Sequence, residues 1–390
     1  DIVRYTPGVN TSQGEGHRDA VVFRGVRSTA DFFQDGARDD VQYYRSLYNV
    51  EQVEVLRGPN ALLFGRGGTG GIINRVTKKA TIGETFGSFD LGADDFGSTD
   101  LAIDYNTSAG ENSAFRLNAH VDALENHRDL YDGDRIGFNP TLRVEISENT
   151  TLDLSYEYAD HERFIDRGIP TAYGRPEEAL KDVVFGTSDI NITTLEADIF
   201  RGSLTTDLSD TSKAVFSITS SEFEKLYQNL YASGYDLATN VVTLDGYRDP
   251  TERENLIVSG NFINEIQIGS STHTLLIGAE KVDTDNSNHR YDSNWSTTGK
   301  DKESFNVSRP LNIATNSEGV ATSVNFNTKL KSKTTSDIEV TSIYIQDQIE
   351  LADELQILIG GRFDTFDITV DDIKGGTSQS REDDEFSPRA

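Results

Sequence analysis

The sequence predicts an all-β transmembrane antiparallel barrel, present in part, preceded by a small N-terminal α/β domain. Apolar and polar residues alternate with a period of two over long stretches, which is the pattern of β-strands. Many stretches reach the roughly 9–11 residues with which a tilted strand crosses a bilayer, whereas strands of soluble sheets average about 5–6 residues. The connections between them alternate between short and long, as they do at the two rims of a membrane barrel.

Composition narrows the classes of function. The chain of 390 residues carries 36 Lys and Arg against 65 Asp and Glu, a net charge of −29, and contains no Cys. The lack of Cys excludes a disulfide scaffold, a thiol nucleophile and a Cys-ligated metal. The negative charge argues against a nucleic-acid partner, because such proteins neutralise phosphates with basic patches. No run of about 18 apolar residues occurs, so no transmembrane helix is predicted.

A change in the hydrophobic pattern near residue 80 predicts two domains, residues 1–80 and residues 81–390. The first part is rich in Gly and contains short apolar runs at Val21–Phe23, Val53–Leu56 and Ile72–Ile73. Such runs, separated by turn residues, are typical of the short strands of a small α/β domain. From residue 81 onward, long alternating segments replace them.

The alternating segments predict about eleven strands. In one of them Phe115, Leu117 and Ala119 share a face, and Arg116 and Asn118 share the other. Alternation alone also fits a soluble sheet with one wet face, but strand length and the pattern of gaps favour a membrane barrel. The segments cover residues 113–123, 138–147 and 152–158 or centre near residues 91, 101, 204, 216, 258, 277, 345 and 359.

The gaps between segments differ in length in a regular order. Short gaps and long gaps alternate, which is expected of periplasmic turns and outer loops. The short gaps lie at residues 147–150, 209–212, 269–272 and 352–354. The long gaps lie at about residues 161–195, 227–253, 283–337 and 367–385.

Several familiar motifs occur without the context that their chemistry needs. Gly65–Gly70 fits G-x-G-x-x-G, but the β-type run Ile72–Thr77 follows it where a dinucleotide site needs a helix. Asp95–Gly97 and His127–Leu130 match kinase motifs in the wrong order. Asp283–Asn288 starts like a calcium loop but lacks the Gly and the Glu that such a loop requires. The six His show no metal-ligand spacing.

One long segment carries a specific resemblance. The residues VEQVEVLRGPNALLFGRGGTGGIINRVTKK, from Val50 to Lys79, closely resemble the plug of TonB-dependent outer-membrane receptors. Further matches stand in the order of that family: FRGV at Phe23–Val26, DFFQDGARD at Asp31–Asp39, and SIYIQDQ at Ser342–Gln348, followed by IGGRFD at Ile359–Asp364. The resemblance covers nearly the whole chain, and the barrel matches are common in siderophore receptors.

The resemblance implies a globular plug inside a barrel of about 22 strands. About half of those strands are present, so we expect a fragment that holds most of the plug and the N-terminal half of the barrel. The segment that contacts TonB would precede Asp1, and the remaining strands would follow Ala390. A half barrel leaves two open edges that lipid cannot satisfy, so we expect that the fragment cannot insert or transport alone.

The function implied by the resemblance is import of a ferric siderophore across the bacterial outer membrane, with catecholate-type chelates favoured. The implied partners are the ferric siderophore, TonB with its inner-membrane energising complex, and outer-membrane lipid, and not nucleic acid. We expect no catalysis, no resident metal and no cofactor. The alternatives are a receptor for a vitamin, sugar or peptide, a surface β-protein in adhesion, and a β-barrel enzyme. Arg116, His120 and Asp122 are the only close set for an enzyme, and solvation in the lumen also explains them.

Two plug arginines match family positions that bridge to barrel glutamates and fasten the plug in the lumen. Arg24 and Arg57 occupy these positions. The family's glutamates would lie past Ala390, so this chain alone would not complete the lock. The alternative is that both arginines only anchor turns of the plug.

Ligand contact is expected from the apex of the plug, directly after the DG-x-R segment. Guanidinium and phenol groups suit anionic, aromatic chelates because they offer charge, hydrogen bonds and ring contacts. Ordinary packing of the plug is the alternative for each residue. The candidates are Arg38, Tyr43, Tyr44 and Arg45.

Overall fold

Strands dominate the computed structural model, which describes residues 2–12, 14–28, 31–57, 64, 70–352 and 354–389. Three short 3-10 helices accompany them, at Ile2–Tyr5, Gly14–Gly16 and Glu178–Leu180. No helix within these ranges has both the length and the apolar character that crossing a membrane requires.

The N-terminal residues form two small sheets. One has the antiparallel order β1-β2-β3, and the other has the order β5-β4-β7-β6, in which β4 runs parallel to β7. Their core is apolar and includes Val21, Phe23 and Ile73, so the three predicted short runs all lie in strands. The strands are β1 (Val9–Ser12), β2 (Ala20–Phe23), β3 (Val26–Ser28), β4 (Phe32–Gln34), β5 (Ala37–Arg38), β6 (Val50–Arg57) and β7 (Gly71–Thr77).

The glycine-rich motif falls partly outside the described residues. Gly65, Gly67 and Gly68 lie outside the described residues. Gly70 is described, and a Cβ there would lie 2.5 Å from the Cβ of Phe23. Only glycine therefore allows the chain to pass this close to β2 before β7 begins.

One long antiparallel sheet contains the rest of the chain. Its strands follow one another in chain order from β8 to β22, apart from small side elements, and its two edges are not paired with each other in the described residues. The strands of this sheet are β8 (Phe86–Ala93), β9 (Thr99–Ser108), β10 (Ser113–Glu125), β11 (Asp132–Ser147), β12 (Thr150–Phe164), β15 (Ile192–Ser209), β16 (Ser212–Asp236), β17 (Val241–Ile268), β18 (Ser271–Trp295), β19 (Glu303–Asn306), β20 (Val324–Ala352), β21 (Leu355–Asp372) and β22 (Thr377–Arg389), whereas β13 (Thr171–Ala172) and β14 (Arg175–Pro176) form a separate two-stranded sheet.

The register places apolar and polar rows on opposite faces of this sheet. Phe216 and Ile343 on the apolar face are 51% and 59% exposed, whereas Ser342 on the other face is 1% exposed. A protein exposes such a continuous apolar band only to lipid or to a partner. One outward row runs through Val144, Leu152, Leu204, Phe216, Gly260, Ala279, Ile343, Phe363 and Phe386. The adjacent inward row runs through Arg143, Asp153, Ser203, Ser217, Ser259, Glu280, Ser342, Asp364 and Glu385.

The predicted short turns are confirmed, but two predicted long loops are wrong. Residues 227–253 form the continuing strands β16 and β17, and residues 367–385 belong mostly to β21 and β22. The segment Asp283–Asn288 likewise lies inside β18 and is not a loop. Above the lipid both faces of a strand are wet, so polar side chains do not end a ladder whose backbone hydrogen bonds continue. For this reason most of the twelfth long strand, β22, was assigned to a loop in the sequence-based prediction.

Two long connections, residues 165–191 and 296–323, pack over the extended hairpins. Trp295, Phe305, Leu230, Val242 and Leu244 are fully buried between them. This cap lies on the side opposite the short turns, which is the outer side in membrane barrels. The rim of the sheet is therefore a packed unit with a core of its own.

Carboxylates form a dense row on the outward face just above the apolar band. Five of them stand directly opposite one another on five neighbouring strands, so each has a like charge on one or both sides. Directly opposed like charges destabilise a sheet. The row consists of Asp198, Glu222, Glu254, Asp285 and Asp337.

Replacing Glu254 by Gln should stabilise the protein in detergent micelles by about 0.2–1 kcal/mol at low ionic strength, because it removes two opposed like-charge pairs. The gain should shrink at high salt, which screens exposed charges. Denaturant unfolding at two salt concentrations measures both effects. Glu148→Gln, in an exposed turn, is the matched control and should change little. A salt-independent gain, or none, contradicts the explanation.

Candidate functional site

Hydrogen bonds join the plug to the polar face of the long sheet. Gln34 of β4 donates from Nε2 to Oε2 of Glu157 on β12 at 3.1 Å. Arg201 on β15 donates from Nη2 to the same oxygen at 3.0 Å. The side chains of Glu157 and Arg201 are only 10% and 9% exposed. A buried carboxylate paired in this way satisfies its charge and holds the plug strand against the wall.

A buried ionic network continues from Gln34 into the plug. Asp39 accepts hydrogen bonds at Oδ2 from Arg75 (2.6 Å), Arg45 (2.8 Å) and the Tyr43 hydroxyl (3.1 Å). Arg75 Nη2 also donates to Oε1 of Gln34 at 2.8 Å. Burial alone would raise the pKa of Asp39, but the two guanidinium groups outweigh it and hold that pKa below its usual value. The network therefore joins the plug interior to the wall without an uncompensated carboxylate.

A cavity of about 590 Å³ lies between the top of the plug and the outer part of the wall. The plug contributes residues 16–17 and 42–44, and the wall contributes β10–β12, β15, β16 and the connections between them. Four of its lining residues are Arg or Lys and one is acidic, although the chain carries a net charge of −29. The charged lining residues are Arg128, Arg135, Arg163, Lys225 and Asp166.

Two of these cations have backbone carbonyl groups and aromatic rings as their partners among the described residues, and no carboxylate. Arg163 donates from Nη2 to the carbonyl of Gly16 at 2.6 Å and lies 4.0 Å from the centre of the Tyr44 ring. Lys225 Nζ lies 3.4 Å from the carbonyl of Gln42 and 4.4 Å from the centre of the Tyr227 ring. These contacts do not neutralise their charge, so the cavity favours an anionic ligand with aromatic groups.

The other two arginines are paired. Arg128 Nε lies 2.5 Å from Oδ2 of Asp166, and Arg135 Nη2 lies 2.7 Å from Oδ2 of Asp122. Their charges are compensated locally, so they shape the cavity more than they charge it. Arg163 and Lys225 supply its net positive character.

His17 lines the same cavity. Its ring stacks on Tyr227 with 4.2 Å between the centroids, and its Nε2 lies 3.3 Å from Nδ2 of Asn229. The side chain is 2% exposed. Burial, reinforced by Arg167 and Arg163, lowers the pKa of His17 to about 2. The imidazole is therefore neutral at physiological pH and adds no charge to the cavity.

Comparison with known protein families decides the family. A model of the TonB dependent receptor-like beta-barrel matches residues 137–390, which is more than half of the chain. The chain belongs to the TonB-dependent receptors. The TonB-dependent receptor plug domain matches residues 1–72. Receptors with this plug and barrel are outer-membrane proteins, so the predicted family, fold class and location are confirmed. The predicted boundary at residue 80 stays a prediction.

Individual relatives agree with this assignment. The probable TonB-dependent siderophore receptor PiuA of Acinetobacter baumannii is 26% identical over 94% of this chain and 52% of its own length. The crystal structure of PiuA superimposes with a TM-score of 0.83 at 20% identity, covering 99% of this chain and 58% of that one. The open form of Fiu from Escherichia coli K12 gives 0.77 at 20% identity, covering 99% and 62%.

A more local relative is the probable TonB-dependent receptor BfrD of Bordetella pertussis. It is 35% identical over 174 residues, covering 43% of this chain and 23% of its own length. The chain therefore spans about half, or less, of the curated relatives that it matches.

The receptor divides the four predicted apex residues between different surroundings. Tyr43 and Tyr44 line the cationic cavity. The side chain of Arg45 is 3% exposed, with Nη1 2.5 Å from Oδ1 of Asp19, so it lies inside the plug network. Arg38 lines a separate cavity of about 270 Å³ nearer β18 and β20–β22. Ligand contact by any of these residues stays a prediction.

Both arginines of the predicted lock lie at one turn of the plug. The backbone N–H of Arg24 donates to the carbonyl of Gly8 at 2.9 Å, and Arg57 Nη1 donates to the carbonyl of Pro7 at 2.6 Å. Both residues are exposed. These contacts fit the alternative that the arginines anchor a turn, and the lock itself stays a prediction.

The three residues that were considered for an enzyme do not form one cluster, because Arg116 pairs elsewhere and only His120 and Asp122 lie together. Arg116 forms a bidentate pair with Asp104, at 2.7 and 2.8 Å. His120 Nδ1 lies 3.3 Å from Oδ2 of Asp122, and its ring lies 4.4 Å from the ring of Tyr48 in the plug. Solvation of these residues by lumen water is wrong as an explanation, because the plug covers them and His120 is 5% exposed.

The sequence reasoning missed the residues that give the cavity its charge. Arg163 and Lys225 stand at wall positions beyond the apolar band, on strands β12 and β16. The signal that was available is their charge, because cations are scarce in this acidic chain. Their common location depends on strand pairing, which no local motif encodes.

Lowering the pH below about 6.5 should reduce the free energy of unfolding of the plug. His17 binds a proton in the unfolded plug at such pH values and does not in the folded plug. The loss should be about 1.4 kcal/mol per pH unit below that value, and none above it. Urea titrations followed by proteolysis of the plug, at pH 7.5 and 5.5, measure it. His17→Gln should remove this component, whereas exposed His127→Gln should retain it. Equal pH dependence in all three proteins contradicts the assignment.

Proposed function

We propose that the whole receptor binds a ferric siderophore in the cationic cavity and imports it across the outer membrane. The observation that carries this proposal is the unneutralised charge of Arg163 and Lys225 beside Tyr44 and Tyr227, in a chain of net charge −29. Ferric siderophores are often anionic and aromatic, and guanidinium, ammonium and phenol groups recognise such ligands. The receptor binds and gates and makes or breaks no covalent bonds.

The names of relatives support the class of ligand. Catecholate siderophore receptor Fiu of Escherichia coli K12 is 30% identical over 44% of this chain and 23% of its own length. The metal-pseudopaline receptor CntO of Pseudomonas aeruginosa is 24% identical over 81% of this chain and 43% of its own length. A metal chelate other than a ferric catecholate is therefore the second candidate. Both are metal complexes of organic chelators, which separates them from a sugar or a peptide.

We further propose that binding is transmitted through Tyr43 to the TonB-dependent release of the plug. Tyr43 lines the cavity, and its hydroxyl donates to Asp39, which is bonded to Arg75. Arg75 reaches the wall through Gln34 and Glu157. A ligand that displaces Tyr43 would disturb the contacts that hold the plug. TonB and its inner-membrane complex would then supply the energy for movement.

Arg163→Ala in the full-length receptor should weaken binding of the cognate ferric siderophore by about tenfold, because it removes a charge-assisted contact. Lys225→Ala should act in the same direction. Titration of purified receptor with ferric catecholate, ferric hydroxamate and a neutral vitamin, followed by intrinsic fluorescence, measures affinity and ligand class. Trp295, the one Trp of the chain, lies in the cap and is unchanged by these variants.

The matched control is Arg143→Ala, which removes an arginine paired with Asp153 near the short turns and away from the cavity. It should bind the ferric chelate as the unmodified receptor does. Binding that survives both cavity variants would contradict the assignment of the site. Binding of the vitamin in preference to every ferric chelate would contradict the assignment of the ligand.

Arg57→Ala in the full-length receptor should loosen the plug if Arg57 fastens it by pairing with buried barrel carboxylates, because removing one partner of such a pair costs about 3–5 kcal/mol. The expected result is greater entry of a large antibiotic into cells that express the variant. Arg27→Ala, a neighbouring exposed arginine of β3, is the control. Unchanged leakage together with unchanged transport would leave only the turn-anchoring role.

A further inference from the structure

The outward face of the sheet carries an apolar groove of about 1210 Å³. Small residues on neighbouring strands, Ala214, Gly260 and Ala279, form part of its floor, and Phe216 and Ile343 stand beside them. A Cβ built on Gly260 would meet no atom within 4 Å, so the floor is open there. The groove lies in the rows that face hydrocarbon, outside the cavity assigned to the transported ligand.

One ionisable pair interrupts this apolar face. Asp347 lines the groove, and its Oδ2 lies 2.8 Å from Nδ1 of His273. Both residues share the outward face with Ile345 and Ile277, which are 50% and 44% exposed. Ionisable side chains at lipid-facing positions are costly and rare, so their presence needs a partner that offsets the cost.

The carboxylate of Asp347 has capacity beyond His273. Its Oδ1 is buried and accepts no hydrogen bond from the residues that the structure describes, so the 30% of the side chain that is exposed leaves Oδ2, beside His273, as the oxygen for a ligand. Each carboxylate oxygen can accept more than one hydrogen bond. Of the residues that line the groove, in the described part of the chain, Asp347 alone carries a charge. The groove is therefore complementary to an apolar molecule with a cationic end.

The position of the pair fixes where that cationic end would lie. His273 is two residues from the start of β18, next to the short turn after Ile268. Asp347 stands opposite Leu275, which is the next residue of β18 on the same face as His273 and lies further into the apolar band. Short turns mark the periplasmic rim of such barrels. The pair therefore lies at the periplasmic end of the groove, close to the lipid head groups.

We propose that this groove binds a phospholipid of the inner leaflet whose head group carries a primary ammonium. The acyl chains lie over Gly260 and Ala279, and the ammonium donates to the carboxylate of Asp347. His273 holds that carboxylate in place from the rim side. An anionic head group is disfavoured, since the groove offers a carboxylate and no Lys or Arg.

Native mass spectrometry of the full-length receptor tests the proposal. The protein is delipidated in detergent and mixed with phosphatidylethanolamine or phosphatidylglycerol of identical acyl chains. The receptor should retain phosphatidylethanolamine about tenfold more strongly, because a charge-assisted hydrogen bond distinguishes the two head groups. Asp347→Asn should lose this preference while still binding both lipids. Gly260→Leu should fill the groove and weaken both.

Asp367→Asn is the matched control, because it removes an exposed carboxylate from the same outward face above the apolar band. It should keep the preference. Heat-modifiable mobility on gels reports whether each variant is folded, and Ala279→Phe replaces Gly260→Leu if the latter is not. Equal retention of the two lipids by the unmodified receptor overturns the proposal, and so does an Asp347→Asn variant with undiminished preference. Siderophore binding is measured separately and does not depend on either result.

Discussion

The pairing of every backbone N–H and C=O at membrane depth is the constraint on which the rest of this structure depends. Lipid offers no hydrogen bonds, so a spanning strand must be paired on both sides. In this receptor the ladder runs without a break from β8 to β22 through neighbours in chain order. Because side chains of a strand alternate, the same ladder separates an apolar band from a polar wall. The cationic cavity, the plug contacts and the outward-facing groove all follow from that separation.

The polar wall is less wet than its composition indicates. Asn118 and Asn139 on this face are fully buried, and Asn49 of the plug donates from Nδ2 to Oδ1 of Asn139 at 3.2 Å. Where charges occur at this interface they are paired, as Glu157 is with Arg201. Breaking a buried pair costs several kcal/mol, whereas an exposed pair contributes little. The plug is therefore held by many compensated polar contacts.

The sequence predicted those features that depend on near neighbours in the chain. The face on which Ile343 lies follows from the alternation around it, and β7 follows from the β-type run after Gly71. The cavity could not be predicted in this way. Lys225 meets Gln42 across 183 residues, and its place there depends on the register of several strand pairs. The extended hairpins were missed because the prediction recognised strands by their apolar face. Above the lipid a strand needs no apolar face, so it continues through residues that look like a loop in the sequence.

The same distinction explains the candidate ligand residues. Tyr44 and Arg45 are adjacent, and the sequence predicted ligand contact for both. In the structure Arg45 turns inward to Asp39 and Asp19, and Tyr44 turns towards Arg163. A family resemblance selects the segment, and only the packing of plug against wall separates these roles.

Site-directed spin labelling tests the division into two faces most directly, with single Cys introduced at chosen sites of these Cys-free residues and any Cys in the rest of the receptor replaced. Labels at positions 342–345 of β20, in the full-length receptor in lipid, should alternate. Positions 343 and 345 should be accessible to oxygen dissolved in the bilayer, and positions 342 and 344 should be shielded from it by the wall and plug. Equal accessibility at neighbouring positions, or a water-accessible Ile343, would contradict the account.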